Sequence, residues 1–340
     1  GRFVLGGAGM VIIESTKVER RGRGTLGDLG IWEDGHIPGH QRLTDFIREN
    51  GATSGIQLGH SGRKARRFRP WEGGAPLEPS PDLPGWDEWE MVAPSAIPHH
   101  AGEPIPRALG VDEVRCMVET WGKAAARAHE AGYDMVEIHG GHGYLVHQFL
   151  SPVANKRDDA YGGSEKKRMR FALEVVECMR ANWPDEKPLF LRLSVEDDAG
   201  WGVAESVRLS RLVKGMGVDV IDCSAGGITG AAIERNAPRY GYQVAYADTL
   251  RREAEIMTMA VGLIIHADQA EDILQNGQAD LIAIGRELLY NPNWPMDAAQ
   301  KLGCDTDFSL TGGFHAHWLA KRAANMKDVT PSTYRTGIKG

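Results

Sequence analysis

Seven short apolar runs recur along the chain, and amphipathic segments separate them. The runs are Met10–Glu14, Ser54–Leu58, Met135–His139, Leu189–Ser194, Val220–Ser224, Met257–Val261 and Leu281–Ile284. Between them Gln41–Asn50, Asp112–Ala131, Lys166–Asn182, Glu205–Gly215 and Gln269–Asn276 carry helical patterning. Glycine or proline marks the joints, as at Gly51, Gly132, Pro184 and Gly277. Alternating strand and helix implies a parallel sheet with helices outside it. The length of 340 residues suits one decorated α/β barrel. The expected fold is therefore an α/β, (β/α)8 TIM barrel with seven strands evident. The opening Gly1–Gly7 reads as the tail of a helix just before the first visible strand, so the missing strand and most of its helix are expected upstream.

Residues 1–340 read as a single barrel domain, with a long insertion at 62–107 and a C-terminal extension at 303–340. The insertion is rich in proline, glycine and tryptophan, as in Pro70–Leu77 and Gly85–Trp89. A loop this long is either a lid over a site or a packed surface excursion. Gly6-Gly-Ala-Gly9 looks like a dinucleotide fingerprint, but it precedes a strand and reads as a tight turn. Arg63, Lys64, Arg66, Arg67 and Arg69 form a basic run. In a chain of net charge -7 it reads as a solvated loop, or as a contact to a phosphate-bearing cofactor, and nucleic acid is not an expected partner. No apolar run approaches the ~20 residues that span a bilayer. The four cysteines, Cys116, Cys178, Cys223 and Cys304, are scattered and form no CxxC pair. A reduced, cytoplasmic protein without a four-thiolate metal site is expected.

The chemistry is concentrated in Glu137-Ile-His-Gly-Gly-His-Gly-Tyr144, which begins in one strand and runs past its end. In parallel α/β proteins ligands bind at the carboxyl ends of the strands. His139 and His142, three residues apart, fit three readings: a metal pair, two donors to a developing oxyanion, or structural caps of the next helix. The other strand ends offer Gln57, Arg192 and Ser224, and a cation at Arg192 favours an anion over a metal. An arginine inside a barrel strand faces a ligand or pairs with an acid, here Glu137 or Asp222. After the last two strands come Gly262, then Gly285 and Arg286, where barrels of this kind cradle phosphate.

The stretch Glu137–Ser164 resembles the signature region of the Old Yellow Enzyme family of FMN-dependent oxidoreductases. Ile56–Lys64, Leu191–Ser194 and Ile284–Leu289 match its other motifs, and Pro70–Leu77 and Val92–Ser95 resemble its bacterial, thermophilic-like branch. The resemblance runs from Gly6 to about Pro295. It implies FMN as cofactor, NAD(P)H as hydride donor, and a small-molecule enone or quinone as acceptor. It implies that Gln57 bonds the flavin pyrimidine edge, that Arg192 lies near N1 and C2=O, and that Ser15 touches the flavin. Gly262, Gly285 and Arg286 would hold its phosphate. His139 and His142 would bind the substrate carbonyl, Tyr144 would protonate the α-carbon, and no metal is required. A homo-oligomer is expected, with Arg322 or Arg335 as the candidate arginine reaching a neighbour's site. Two departures stand out: the family's first strand is absent, and residues 312–340 match poorly. The rival readings are a metal-dependent barrel hydrolase built on His60, His139 and His142, a non-catalytic barrel, and an FMN reductase module of a larger enzyme acting on a CoA thioester.

Overall fold

A computed structural model describes residues 1–80, 83, 85–197, 199–230 and 239–326. Its strands are β1 (Met10–Lys17), β2 (Thr53–Gly59), β3 (Val92–Ala93), β4 (Arg107–Ala108), β5 (Met135–Gly140), β6 (Leu189–Ser194), β7 (Val220–Ser224), β8 (Met257–Ala260) and β9 (Leu281–Ile282). Seven of them form one parallel sheet in the order β1-β2-β5-β6-β7-β8-β9, and these are the seven runs expected from sequence. Chain order equals spatial order, as right-handed strand–helix–strand crossovers require of a curling sheet. Among the described residues the edge strands β1 and β9 each pair on one side. The two-residue β3 and β4 pair in parallel across the 62–107 insertion.

The period-two pattern of the strands sorts side chains into an outer and an inner set. Outward residues such as Val136, Ile138, Leu189, Leu191, Leu193, Ile221 and Cys223 pack against the helices in the main core. The helix Val111–Glu130 supplies Val114, Met117, Trp121, Ala124, Ala125 and Ala128, one apolar stripe at helical spacing. Helix Glu165–Ala181 starts where the Ser164 hydroxyl accepts the Lys167 N–H.

Inward residues form layers. Met135, Phe190 and Val220, near the amino ends of their strands, cluster with Met259 of β8 in an apolar plug. One step up, Gln57, Glu137, Arg192 and Asp222 occupy inward positions, with Gln57 in register with Glu137 and Arg192 in register with Asp222. One step further, His139, Ser194 and Ser224 stand at the carboxyl ends. The barrel interior thus changes from greasy to polar along its axis, and the polar end is where ligands can be held.

The Gly6–Gly9 segment is the turn expected of it: Gly6 closes the short helix Arg2–Leu5, and Gly7 takes a φ of 93°. The helix Val244–Glu253 was not anticipated. Its buried Val244, Ala247 and Leu250 recur every third residue, a signal too small in side-chain volume to stand out.

Candidate functional site

The motif after β5 folds so that both histidines and Tyr144 face one another. His139 is the penultimate residue of β5, buried, and His142 follows in the left-handed region at φ 54°. Gly143, at φ 72°, lets this loop lie against the loop after β7: a Cβ there would sit 2.1 Å from the Gly227 carbonyl oxygen. The His142 backbone N–H donates to the Ser194 hydroxyl at 2.8 Å, tying the loop to β6. Tyr144 precedes the short helix Leu145–Leu150, and its ring meets the His139 ring edge-on with centroids 4.8 Å apart.

Hydrogen bonds fix the direction of a chain of groups through this site. The Gly141 N–H donates to His139 Nδ1 at 3.3 Å, so a neutral His139 carries its proton on Nε2. That nitrogen lies 3.4 Å from His142 Nδ1, which must accept. His142 Nε2 then carries the second proton and donates to Ser224 Oγ at 2.6 Å. The Ser224 hydroxyl in turn donates to Gln243 Oε1 at 3.5 Å. Neutrality of both rings is enforced physically. Burial, then the neighbouring ring, Arg192, Lys17 and Lys64, hold His139 well below the usual histidine range. Burial, Arg192, Lys64 and His147 do the same for His142.

Beneath the histidines lies a charged layer. Arg192 pairs with Asp222 at 3.2 Å, one of the two acids expected for it, and about a quarter of its side chain remains exposed. Burial alone would lower its pKa, but Asp222 and Glu137 together raise it. Glu137 does not reach Arg192 by a salt bridge; its Oε1 accepts from Gln57 Nε2 at 2.7 Å. Burial and the nearby Asp222 push the Glu137 carboxyl up, and burial pushes Asp222 up against the pull of Arg192. Arg192 Nε, Glu137 Oε2 and Asp222 Oδ1 are buried without a hydrogen-bond partner. Such unsatisfied polar groups are costly in a finished core and expected where a polar ligand docks.

The remaining expected residues fall at the same end. Gly262, at φ 118°, and Gly285 follow the adjacent strands β8 and β9. Gly285 opens onto free space, and the exposed Arg286 has no side-chain partner among the described residues. Ser15 lies in β1 and accepts from Lys17 Nζ at 2.9 Å. Arg322 is an exposed residue of the helix Gly313–Asn325, and Arg335 lies outside the described residues.

Some expectations need correction. His60 does not join His139 and His142. Its Nε2 meets Glu19 at 2.9 Å and its Nδ1 accepts the Gly62 N–H at 3.0 Å. Among the described residues no group of three or more metal-ligating side chains converges. Nor do the histidine side chains cap the helix after them: its N-cap is Tyr144, with no side-chain hydrogen bond.

The basic run is only in part a solvated loop. Arg63 is buried, donating to the Pro98 and Ile228 carbonyls. Lys64 donates to the His142 and Gly227 carbonyls at 2.9 and 3.3 Å. Burial, then Arg67 and Arg63, hold its pKa down to about 8. Sequence reasoning missed Lys17 altogether. It is 3% exposed, lies 3.4 Å from Asp28 Oδ2, and sits with Lys64 at the Tyr144 ring.

Comparison with known proteins places these features in context. The sequence pattern of the NADH:flavin oxidoreductase / NADH oxidase family matches residues 5–304. A NADPH dehydrogenase of Geobacillus sp. (strain WCH70) is 42% identical over 316 residues, covering 92% of this chain and 85% of that protein. A solved morphinone reductase in complex with tetrahydroNAD superposes with TM-score 0.71 at 26% identity, over 89% of this chain and 81% of that one. A 2-naphthoyl-CoA reductase in complex with 2-naphthoyl-CoA superposes with TM-score 0.76 at 26% identity, over 90% of this chain. This chain spans 46% of that longer protein.

Proposed function

We propose that this chain, which belongs to the NADH:flavin oxidoreductase / NADH oxidase family and is an FMN-dependent NAD(P)H oxidoreductase, reduces the activated C=C bond of α,β-unsaturated carbonyl compounds. The supporting observation is the directed chain from Gly141 through His139 and His142 to Ser224, with Tyr144 against its first ring. It offers the neutral His139 Nε2–H to an oxygen, makes a second donor available on His142 through Ser224, and sets a phenol beside them.

The residues fit FMN. Arg192, partly exposed above Asp222, is a fixed cation for the edge of an isoalloxazine where negative charge grows. Gln57 gives its amide nitrogen to Glu137, which leaves its oxygen to accept from a ring N–H. Ser15 stands beside them in β1, and Gly262, Gly285 and the unpartnered Arg286 suit a phosphate. Bound FMN supplies the hydride, taken from NAD(P)H and delivered to the substrate's β-carbon. The protein's part is to orient the alkene, hold the carbonyl oxygen with His139 and His142, and pass a proton from Tyr144 to the α-carbon.

The chain is read as one barrel domain, with a long insertion at 62–107 and a C-terminal extension at 303–340. Self-association is supported by Phe314 and Trp318, 79% and 57% exposed and four residues apart on one face of Gly313–Asn325. A CoA thioester acceptor is a second reading, favoured by the likeness to 2-naphthoyl-CoA reductase. An enoyl-CoA reduced much faster than the free enone would select it.

The reading is tested with purified protein, NAD(P)H and cyclohexenone under anaerobic conditions. Saturated ketone should form, and protein that binds FMN yet reduces no activated alkene would refute it. Two substitutions test the cofactor contacts. Arg286→Ala should weaken FMN binding by about 10-fold or more, the scale of one charge-assisted bond. Arg67→Ala should leave FMN affinity alone, because Arg67 is engaged with Glu103. Equal titration curves for the two variants would remove Arg286 from the phosphate site. Arg192→Met, similar in bulk and neutral, should lower the flavin potential and slow reduction by NAD(P)H. An unchanged potential would leave Arg192 as a partner of Asp222 only.

A further inference from the structure

Tyr144 does not stand alone among neutral groups. The Lys17 ammonium lies 5.4 Å from its ring centroid and the Lys64 ammonium 5.2 Å. The two arrive from different places, Lys17 from the end of β1 and Lys64 from the turn after β2. A break in strand register brings Lys17 there. Ile13 pairs with Ile56 but Thr16 with Leu58, so three steps on β1 match two on β2. That extra residue reverses the inside–outside alternation. Lys17, in register with Gly59, takes the inward place that Thr16 would hold without the bulge.

Burying a lysine is costly unless something requires it. Lys17 is held on one side by Ser15 Oγ at 2.9 Å and on the other by Asp28 at 3.4 Å. Asp28 does not depend on it. Its carboxylate also accepts from the Gly24 and Thr25 N–H groups and the Thr25 hydroxyl. Lys64 has no carboxylate partner among the described residues and bonds only carbonyl oxygens. The site therefore holds two desolvated cations at one phenol.

We propose that Lys17 and Lys64 are positioning residues that stabilise the Tyr144 phenolate formed when its proton passes to the substrate. The proposal rests on Tyr144 as proton donor. In that step the Tyr144 O–H bond breaks, a C–H bond forms at the α-carbon, and the electron pair stays on the phenolate until solvent returns a proton. A cation at an aromatic face is attracted to the ring and far more strongly to a phenolate, whose charge spreads into it. The other charged or titratable neighbours are few. Asp28 faces Tyr144 from the segment after β1 and, with burial, raises its pKa. His139 meets it from β5 as a neutral ring. Burial lowers the Lys17 pKa against the pull of Asp28 and Glu14, and burial, Arg67 and Arg63 lower that of Lys64 against Glu103. A charged ammonium at the ring face favours the phenolate and so works against what burial and Asp28 impose.

Lys17→Met tests this, with Lys17→Arg as the conservative control and Lys17→Met/Asp28→Asn as the compensated pair. The Tyr144 phenol is titrated by ultraviolet difference spectroscopy against the same protein carrying Tyr144→Phe. Lys17→Met should raise the Tyr144 pKa by about one unit or more, since Asp28 is left unopposed. The paired variant should restore part of the shift, and Lys17→Arg most of it. Alkene reduction should slow by about 10-fold in Lys17→Met, with quinone reduction and reduction by NAD(P)H little changed. Lys64 loses its charge as pH rises through about 8. Alkene reduction should fall over that range in the native protein, and this limb should be absent from Lys64→Met. An unmoved Tyr144 pKa in Lys17→Met overturns the proposal. So does equal slowing of alkene and quinone reduction. If the pKa moves but Tyr144→Phe itself reduces alkenes at full rate, the fault lies with Tyr144 as donor and not with the lysines.

Discussion

Tyr144→Phe is expected to slow reduction of an activated alkene by about 10²–10⁴-fold, the range of a positioned general acid. Reduction of the bound flavin by NAD(P)H should keep its rate. The variant removes one oxygen and keeps the ring that packs edge-on against His139, so the site should hold its shape. Burial and Asp28 keep the phenol protonated well past neutrality, so at working pH it is an acid and not a base. Quinones separate the proton role from a general disturbance. Their reduction needs protons on oxygen and none on carbon, so it should suffer far less than that of enones. Stopped-flow measurement of each half-reaction with both acceptors decides the matter. Comparable losses for quinone and enone would make Tyr144 a packing residue.

The strands were legible as apolar runs, and in β5 a regular alternation also sorts the two faces. Met135, Glu137 and His139 point inward, Val136 and Ile138 outward, and that pattern alone separates the apolar plug from the polar layer above it. The motif after β5 was legible as a place, because polar side chains just past a strand of a parallel barrel face the ligand end, while its histidines stayed open among three readings. Gly262, Gly285 and Arg286 were legible from their place after the last two strands. The direction of the hydrogen-bond chain was not, because a backbone N–H, that of Gly141, sets it.

Lys17 was hidden for a different reason. The apolar run stops at Glu14, so a strand read from sequence ends there, whereas β1 continues to Lys17 through a bulge. Nothing local announces the extra residue, and without it the parity is wrong and Lys17 would point outward. Lys64 was visible but misjudged. Five basic residues in a row of seven look solvated, and it takes the approach of the His142 and Gly227 carbonyls to show that one of them is turned in. Both errors concern partners outside the local window: the register of Lys17 is set by Gly59, 42 residues away, and the carbonyls that hold Lys64 lie at separations of 78 and 163.

Removing His142, the proposed oxyanion donor, should have the second large effect. His142→Ala is expected to slow alkene reduction by about 10²–10³-fold, the usual loss for one donor in a closed site. His139 offers Nε2–H across a 3.4 Å contact that a ligand oxygen can replace. His142 gives its own proton to Ser224 at 2.6 Å. It can turn a donor toward a ligand only by carrying the proton on Nδ1 while the Ser224 hydroxyl donates to Nε2. The site is thus built with one donor ready and one available through Ser224. Phenols report on both without turnover, because a phenolate places its charge where the enolate oxygen would sit. With the flavin as acceptor it should give a long-wavelength charge-transfer band. His142→Ala should weaken that band, Ser224→Ala should weaken it less, and Tyr144→Phe should keep it. Since burial and nearby cations keep both rings neutral through the physiological range, the pH dependence of the band should follow the phenol and not a histidine. Reduction by NAD(P)H should be comparatively intact in His142→Ala. Loss of both half-reactions together, or of neither, would make the paired rings a structural clasp between the loops after β5 and β7.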